Sequence, residues 1–461
     1  MLRRISLLAL SLVLAAAVAG FAPLPVSAGE ASHFGVNIHA PLGSEVAARL
    51  DKVRDAGIGW VRIDFIWPWI ETAQDQFDWH VYDDLVAAAH ARGLSVYATI
   101  ADTPAWATDG PPITGVPRSV DDWTDICVRA ADRYQGRIQV WGLWNEPNQD
   151  RFWAGSRNDY IEKILKPGST AIRSADSGAK IAGPELAHLT SGDSDWYVWL
   201  RDILQKASDR IDIVAHHLYD RDSSRDVTKK LDDDTQFGGS PSLWPLVNPS
   251  LREVLRNTGW FGRPVWLTET GWASDQAGTT GQASQLSGLL SDWFTEQPGR
   301  EWIDKIFIYE LIDDPNPNVP RWGLLNADGS EKTAYAAVKG FINLEQGPAD
   351  AAEIVSSTFP TTMRKGSTFT AKITVRNTGT TVWTRAANYK LGAGDDSDPF
   401  TPPRKLLGRF AQIQPGKTAT FSFKLTAPSR TGTYTTDWQM LREGVQRFGP
   451  ALVREIRVTA H

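Results

Sequence analysis

The chain has 461 residues and a formal net charge of −6. That length suits one large domain and a small one, and the acidic balance argues against a nucleic-acid partner, which calls for clustered Lys and Arg. A lone cysteine, Cys127, excludes an internal disulfide, so the fold must be held by core burial.

The first 28 residues read as a targeting segment. Arg3 and Arg4 precede an apolar run from Ile5 to about Ala19, and Val26-Ser27-Ala28 supplies the small residues of a cleavage site. The run falls short of the roughly 20 apolar residues of a membrane span, and no later stretch is apolar enough to cross a bilayer. The expectation is export with cleavage after Ala28, giving a secreted, extracellular or cell-surface protein with no membrane span.

From His33 onward, short β-branched or aromatic runs alternate with longer amphipathic ones. Candidate strands begin at Phe34, Trp60, Leu94, Ile138, Lys180 (K-I-A-G), Ile211, Pro264 and Lys305. Helical patterns lie between them at Glu45 to Ala56, Tyr82 to Arg92, Trp123 to Tyr134, Asp159 to Ala175, Trp196 to Ala207, Leu251 to Asn257 and Gln282 to Phe294, with a last one from Thr333 to Phe341. Ala56-Gly57 and Arg92-Gly93 are typical stop signals. The rhythm predicts an α/β domain over residues 29–344, a (β/α)8 TIM barrel. An open doubly wound sheet would carry a Gly-rich phosphate loop after its first strand, and His39-Ala40-Pro41-Leu42-Gly43 is no such loop. Residues 345–352 are polar with Gly and Pro and read as a linker. Beyond it, strand-like runs at Thr368 to Arg376, Thr418 to Leu425, Thr433 to Met440 and Val453 to Val458 predict a small all-β sandwich over 353–461.

The chemistry concentrates at two strand ends. Val140 to Asn148 reads V-W-G-L-W-N-E-P-N and delivers Glu146 to the rim of the sheet, and Pro264-Val265-Trp266-Leu267-Thr268 delivers Glu269. In a barrel the C-terminal strand ends converge on one pocket. Two carboxylates there suit hydrolysis of a glycosidic bond, one giving a proton and the other attacking or activating water. Tryptophan fits the same idea: there are 20, and only Trp383 and Trp438 lie beyond residue 350. Indole faces stack on sugar rings or fill cores, and for any single tryptophan both readings stand.

Trp144-Asn145-Glu146-Pro147 and Thr268-Glu269-Thr270-Gly271-Trp272 resemble the signature of the clan A glycoside hydrolases, with family 39 nearest and family 5 next. The resemblance covers about His33 to Phe341. It implies a retaining mechanism, with Glu146 as general acid and base, Glu269 as nucleophile and Asn145 on the sugar 2-hydroxyl. His217-Leu218-Tyr219 is similar to the clan's His-x-Tyr, in which the tyrosine touches the nucleophile, with His216 as the competing histidine. Arg62 resembles the clan arginine facing the nucleophile; a salt bridge with Asp64 is its other reading. The nucleophile and acid would stand about 5 to 5.5 Å apart, with Glu146 kept protonated by the charge of Glu269.

The eighth strand, with Tyr309-Glu310-Leu311 followed by Asp313-Asp314, Trp322-Gly323-Leu324-Leu325 and Lys332-Thr333-Ala334-Tyr335, looks like family 39 members that cut bacterial exopolysaccharides internally. Tyr309 would take the sugar platform, and Glu310 is an extra acid at the rim that binds a hydroxyl pair or an amine, or forms a rim salt bridge. His39 is a candidate for the same role. Trp67, Trp106, Trp272 and Trp322 follow strand ends as candidate stacking platforms, with Pro104 and Pro111-Pro112 stiffening the loop that holds Trp106.

No cofactor or metal motif is present: there is no HExxH and no phosphate loop, and the eight histidines are scattered apart from His216-His217. The second domain, with Asn377-Thr378-Gly379 before Trp383 and Gly432-Thr433-Tyr434 before Trp438, resembles the immunoglobulin-like sandwich of autophagy cargo receptors and bacterial secreted enzymes. It either tethers the enzyme or braces the barrel. The implied whole is a monomeric, endo-acting β-glycoside hydrolase with a polysaccharide or oligosaccharide substrate. An exo-acting enzyme such as a β-xylosidase and a catalytically silent carbohydrate-binding barrel are the alternatives.

Overall fold

The computed structural model describes residues 32–39, 45–190, 195–220, 223–232, 248–294, 302–346 and 350–460. The targeting segment expected over residues 1–28 lies outside them. Eight strands close into a barrel in which every neighbour pair is parallel. They are β1 (Phe34–Ile38), β2 (Trp60–Ile66), β3 (Ser95–Ala101), β4 (Val140–Leu143), β5 (Lys180–Ala187), β6 (Ile213–His217), β7 (Val265–Thr270) and β8 (Lys305–Ile308). Each matches a strand expected from the sequence, and the fold class is the one predicted. No described helix is long and apolar enough to cross a membrane.

Two apolar layers follow from side chains alternating across each strand. Outward residues such as Val36, Ile63, Leu143 and Ile181 join the core beneath the helices, where Cys127 is buried. Inward residues form a separate plug of Trp60, Tyr97, Val140, Ala182, Ile213, Ala215, Trp266 and Phe307. Trp266 stacks on Phe307 at 5.7 Å, and Trp60 meets Trp266 edge-on at 5.1 Å. Gly35 on β1 makes room for this plug, since a Cβ there would lie 2.2 Å from the Phe307 ring.

Three strand pairs slip register near their C-terminal ends: β5 with β6, β6 with β7, and β7 with β8. On β5, Pro184 pairs with Ala215 and Leu186 with His216, so Glu185 is the extra residue. Bulges of this kind re-aim side chains. One consequence is a carboxylate turned out of the ordinary pleat.

The helices differ from expectation mainly at their ends. The last runs Thr333–Gln346, into the stretch expected as linker. The helical pattern at Asp159 to Ala175 contains a π turn at Tyr160–Leu165 ahead of Lys166–Ala175. Helix Ser224–Asp232 is one the sequence did not announce, because Val227 and Leu231 are its only buried apolar residues and so thin a stripe gives little period.

Residues 352–459 form a three-stranded and a five-stranded sheet, with a short two-stranded pair of Trp383–Thr384 and Gln412–Ile413. Thr418–Thr426 alternates exposed and buried residues along its whole length, the pattern of a strand with one face on a core. Trp383 and Trp438 are both buried in that core. Neither offers a face to a ligand.

Gly35→Ala forces a methyl into the Phe307 ring. The expected loss is about 1–3 kcal/mol, read from denaturant unfolding of the barrel.

Candidate active site

The loop after β4 carries the first carboxylate in a tightly specified conformation. Trp144 and Glu146 have φ of 81° and 43°, values uncommon outside glycine. Burial of neighbouring groups holds them there. The Trp144 indole is buried and donates to Phe152 O at 2.9 Å, Glu146 N donates to Glu185 O at 3.1 Å, and Asn148 exchanges two hydrogen bonds with the backbone of Ala187. Glu146 is therefore fixed on a rigid turn. Gln149 donates to its Oε2, and Arg151 stands 3.5 Å from the same oxygen.

Burial pushes the Glu146 pKa up to about 7, against the pull of Arg151 and Arg62. The sequence reading assigned this role to the charge of Glu269; desolvation is the cause found instead. A carboxyl group poised near neutrality can both give and take a proton.

Glu269, on β7, is surrounded by donors. Arg62 Nη1 donates to its Oε1 at 2.8 Å, and the Tyr219 hydroxyl donates to its Oε2 at 2.7 Å. Donors on both oxygens fix the orientation of the carboxylate. Arg62 is buried and also donates to Asn37 Oδ1 at 2.8 Å, to Asn145 Oδ1 at 2.9 Å and to Glu185 Oε2. Asp64, the alternative partner, pairs with His39.

His217 sits between the two glutamates. Its Nδ1 is 3.0 Å from Glu146 Oε1 and 3.5 Å from Glu269 Oε2. Burial lowers its pKa to about 4, against the attraction of Glu269, so the ring is neutral at pH 7. His216 points elsewhere, to His188 at 2.9 Å. One ligand atom from each of Glu146, His217 and Glu269 lies within 4.8 Å of the other two. Such a trio resembles a cation site, yet both oxygens of Glu269 already accept hydrogen bonds, and the Arg62 charge competes for the same carboxylate.

These groups open on a cleft of about 1140 Å³ lined by Asn145, Glu146, Glu269, Tyr219, Trp272, Tyr309, Trp322 and His39, among others. His39 Nε2 lies 3.0 Å from both the Tyr309 hydroxyl and Glu310 Oε2. Burial opposes its charge, but Asp64 and Glu310 outweigh that and hold its pKa well above the ordinary value. Tyr219, Tyr309 and Trp322 meet edge to face, at 5.2 to 6.1 Å between ring centres.

Three expected site residues stand elsewhere. Trp67 is fully buried, packed against Trp106 and Trp123, and donates to Glu71 at 2.7 Å, so it has no free face for a sugar. Trp106 leans on Trp67 and donates to Glu71 O at 3.0 Å, outside the cleft lining. Glu310 is 4% exposed and absent from the cleft lining, and it pairs with His39 at 3.0 Å, the salt bridge that was its other reading.

Glu185 was missed, and so were the cleft residues Asp102 and Arg151. The expected run from Lys180, K-I-A-G, stops short of Glu185, whereas the strand continues to Ala187. A carboxylate flanked by Pro184 and Leu186 inside an apolar run was the available signal. Asp102 has no such flag; burial, with repulsion from Asp64, raises its pKa to about 7.

Comparison with known proteins bears on family and fold. The model of the cellulase family (glycosyl hydrolase family 5) matches residues 26–289, more than half of the chain, and that of the Ig-like domain from next to BRCA1 gene matches 357–458. A beta-xylosidase of Caldicellulosiruptor saccharolyticus is 28% identical over 161 residues, covering 33% of this chain and 30% of the relative. One from Geobacillus stearothermophilus is 26% identical over 113 residues, covering 22% and 21%. The chain thus spans less than a third of either curated relative. A family 39 glycoside hydrolase from Bacteroides cellulosilyticus shares the fold at a TM-score of 0.55 and 18% identity, covering 86% of this chain and 80% of the other.

Arg62→Ala removes the cation between two buried carboxylates. The expected loss of barrel stability is about 3–5 kcal/mol, measured by denaturant titration; a loss within error would mean that the carboxylates do not depend on it.

Proposed function

The chain belongs to the cellulase family, glycosyl hydrolase family 5, and from that premise we propose that it is an exported, retaining β-glycoside hydrolase that cuts within a polysaccharide. The observation that carries this reading is the carboxylate pair. One carboxylate oxygen of Glu146 lies within 4.8 Å of one of Glu269, a closest approach that suits the roughly 5–5.5 Å between the carboxyl groups of retaining enzymes.

In the first step Glu269 attacks the anomeric carbon, forming an ester bond while the bond to the leaving oxygen breaks. Glu146 gives that oxygen its proton. In the second step Glu146 takes a proton from water, the water oxygen bonds to the anomeric carbon, and the ester bond breaks to return Glu269 as a carboxylate. Tyr219 and Arg62 orient Glu269 throughout, and neutral His217 keeps the space between the glutamates free of added charge. Asn145, held by Arg62, faces the cleft to meet the sugar, while Tyr309, Trp272 and Trp322 supply its aromatic walls.

A cleft of about 1140 Å³ holds more than one sugar ring, which supports cutting within a chain. The likeness to two beta-xylosidases supports exo action as the second reading. The domains are proposed as a targeting segment over 1–28, a catalytic barrel over 29–344, a linker over 345–352 and a bracing sandwich over 353–461. The burial of Trp383 and Trp438 supports bracing over tethering. The working unit is proposed as a monomer.

The deciding test is purified protein against β-glucans, xylans, galactans, mannans and bacterial exopolysaccharides, read by product length. Early oligosaccharides support the proposal, and monosaccharide released from the outset favours exo action. No cleavage of any of them points to a silent binding barrel.

Glu146→Ala is expected to slow polysaccharide cleavage by about 10²- to 10⁴-fold, and Glu269→Gln to abolish it. Because Glu146 must carry its proton into the first step, kcat/KM should fall as pH rises past about 7. On an aryl glycoside with a good leaving group, Glu146→Ala should lose that alkaline limb.

A further inference from the structure

Glu185 is a wholly buried carboxylate that the mechanism above does not use. It is fully enclosed on the bulge of β5, with φ of 55°. Three side chains donate to it: the Tyr97 hydroxyl, Thr99 Oγ1 at 3.0 and 3.1 Å, and Arg62 Nη2. The facing strand leaves space for it, since a Cβ on Gly142 would stand 1.9 Å from its Oε1. Glu185 is not among the residues lining the cleft, so it acts on the sugar only through another group.

That group is Arg62. Its Nη1 serves Asn37 and Glu269, its Nη2 serves Asn145 and Glu185, and its Nε has no partner. The plane of the guanidinium is therefore set by the acceptors at its far end, and a shift on the Glu185 side is felt at Glu269 and Asn145. Charge is shared in the same way. One buried cation faces two carboxylates, at Glu185 and Glu269.

We propose that Glu185 is a positioning residue for the nucleophile: it aims Arg62 and takes up part of its charge, so that Glu269 is held in place without being over-stabilised. This rests on Glu269 being the nucleophile. When Glu269 attacks, its negative charge is consumed in the ester. An undivided Arg62 charge would stabilise the resting carboxylate and slow that step. In the second step Glu269 leaves as a carboxylate, and the same undivided charge would not slow its departure.

The groups facing this pair are few. His217 Nε2 lies 3.9 Å from Glu185, and His217 Nδ1 lies 3.5 Å from Glu269. Tyr219 donates to Glu269, Glu146 stands across the cleft, and Asp64 adds to the field at Arg62. Tyr97 and Tyr160 are the titratable groups on the far side of Glu185, and Tyr309 faces Glu269 and Arg62 from the end of β8.

The test uses the full chain and a substrate that the wild type cleaves, with Glu269→Gln measured alongside. If that variant turns over normally, the nucleophile assignment itself has failed, whatever Glu185 does. Glu185→Gln keeps the shape and removes the charge. The expected result is a first step slowed about 10- to 100-fold, a second step that is not slowed, and an acidic limb of kcat/KM moved down by about one pH unit. Tyr97→Phe takes a donor from Glu185 and leaves more of its charge on Arg62, so its acidic limb should move up. These opposite shifts support the proposal. It is overturned if both steps slow together with the limb unmoved, or if Glu185→Gln matches the wild type. Should Glu185→Gln fail to fold, an unmoved limb in Tyr97→Phe overturns it alone.

Discussion

The whole C-terminal end of the barrel depends on the buried guanidinium of Arg62. A charge so enclosed has to be met by acceptors, and closure of the barrel brings them from strands far apart in sequence: Asn37 on β1, Glu185 on β5, Glu269 on β7 and Asn145 just beyond β4. No member can move alone. The aromatic plug fills the interior beneath this network, and its Tyr97 joins the two by donating to Glu185.

The two catalytic candidates are chemically identical residues made different by their surroundings. Glu146 is buried with weak support from cations, and desolvation carries it to a pKa of about 7. Glu269 has a cation on one oxygen and a tyrosine hydroxyl on the other. On the proposed mechanism the first exchanges the proton and the second attacks, so that a single residue type fills two roles. His217 bridges them as a neutral ring, because burial has removed its tendency to charge.

Much of this was legible in the chain. The strands could be found because apolar runs bounded by turn signals report local structure, and Glu146 and Glu269 stood out because each ends such a run. Arg62, Tyr219 and His217 were found through motifs, and each reaches one of the two glutamates. Trp67 was misjudged because an indole after a strand end looks the same whether it faces the cleft or the helices, and here a neighbouring Glu71 captures it. Glu310 took its salt-bridge reading because His39, far away in sequence, pairs with it. Glu185 was hidden by a bulge. Register slips depend on pairing between strands, so the one local sign at Gly183-Pro184-Glu185 was a carboxylate inside an apolar run.

On the proposed mechanism Glu269 is the attacking group. The most direct measurement is the anomeric configuration of the first product, followed by NMR before mutarotation sets in. Retention of the β configuration is the predicted result. Inversion would contradict it, because an inverting enzyme sends water, and not Glu269, to the anomeric carbon.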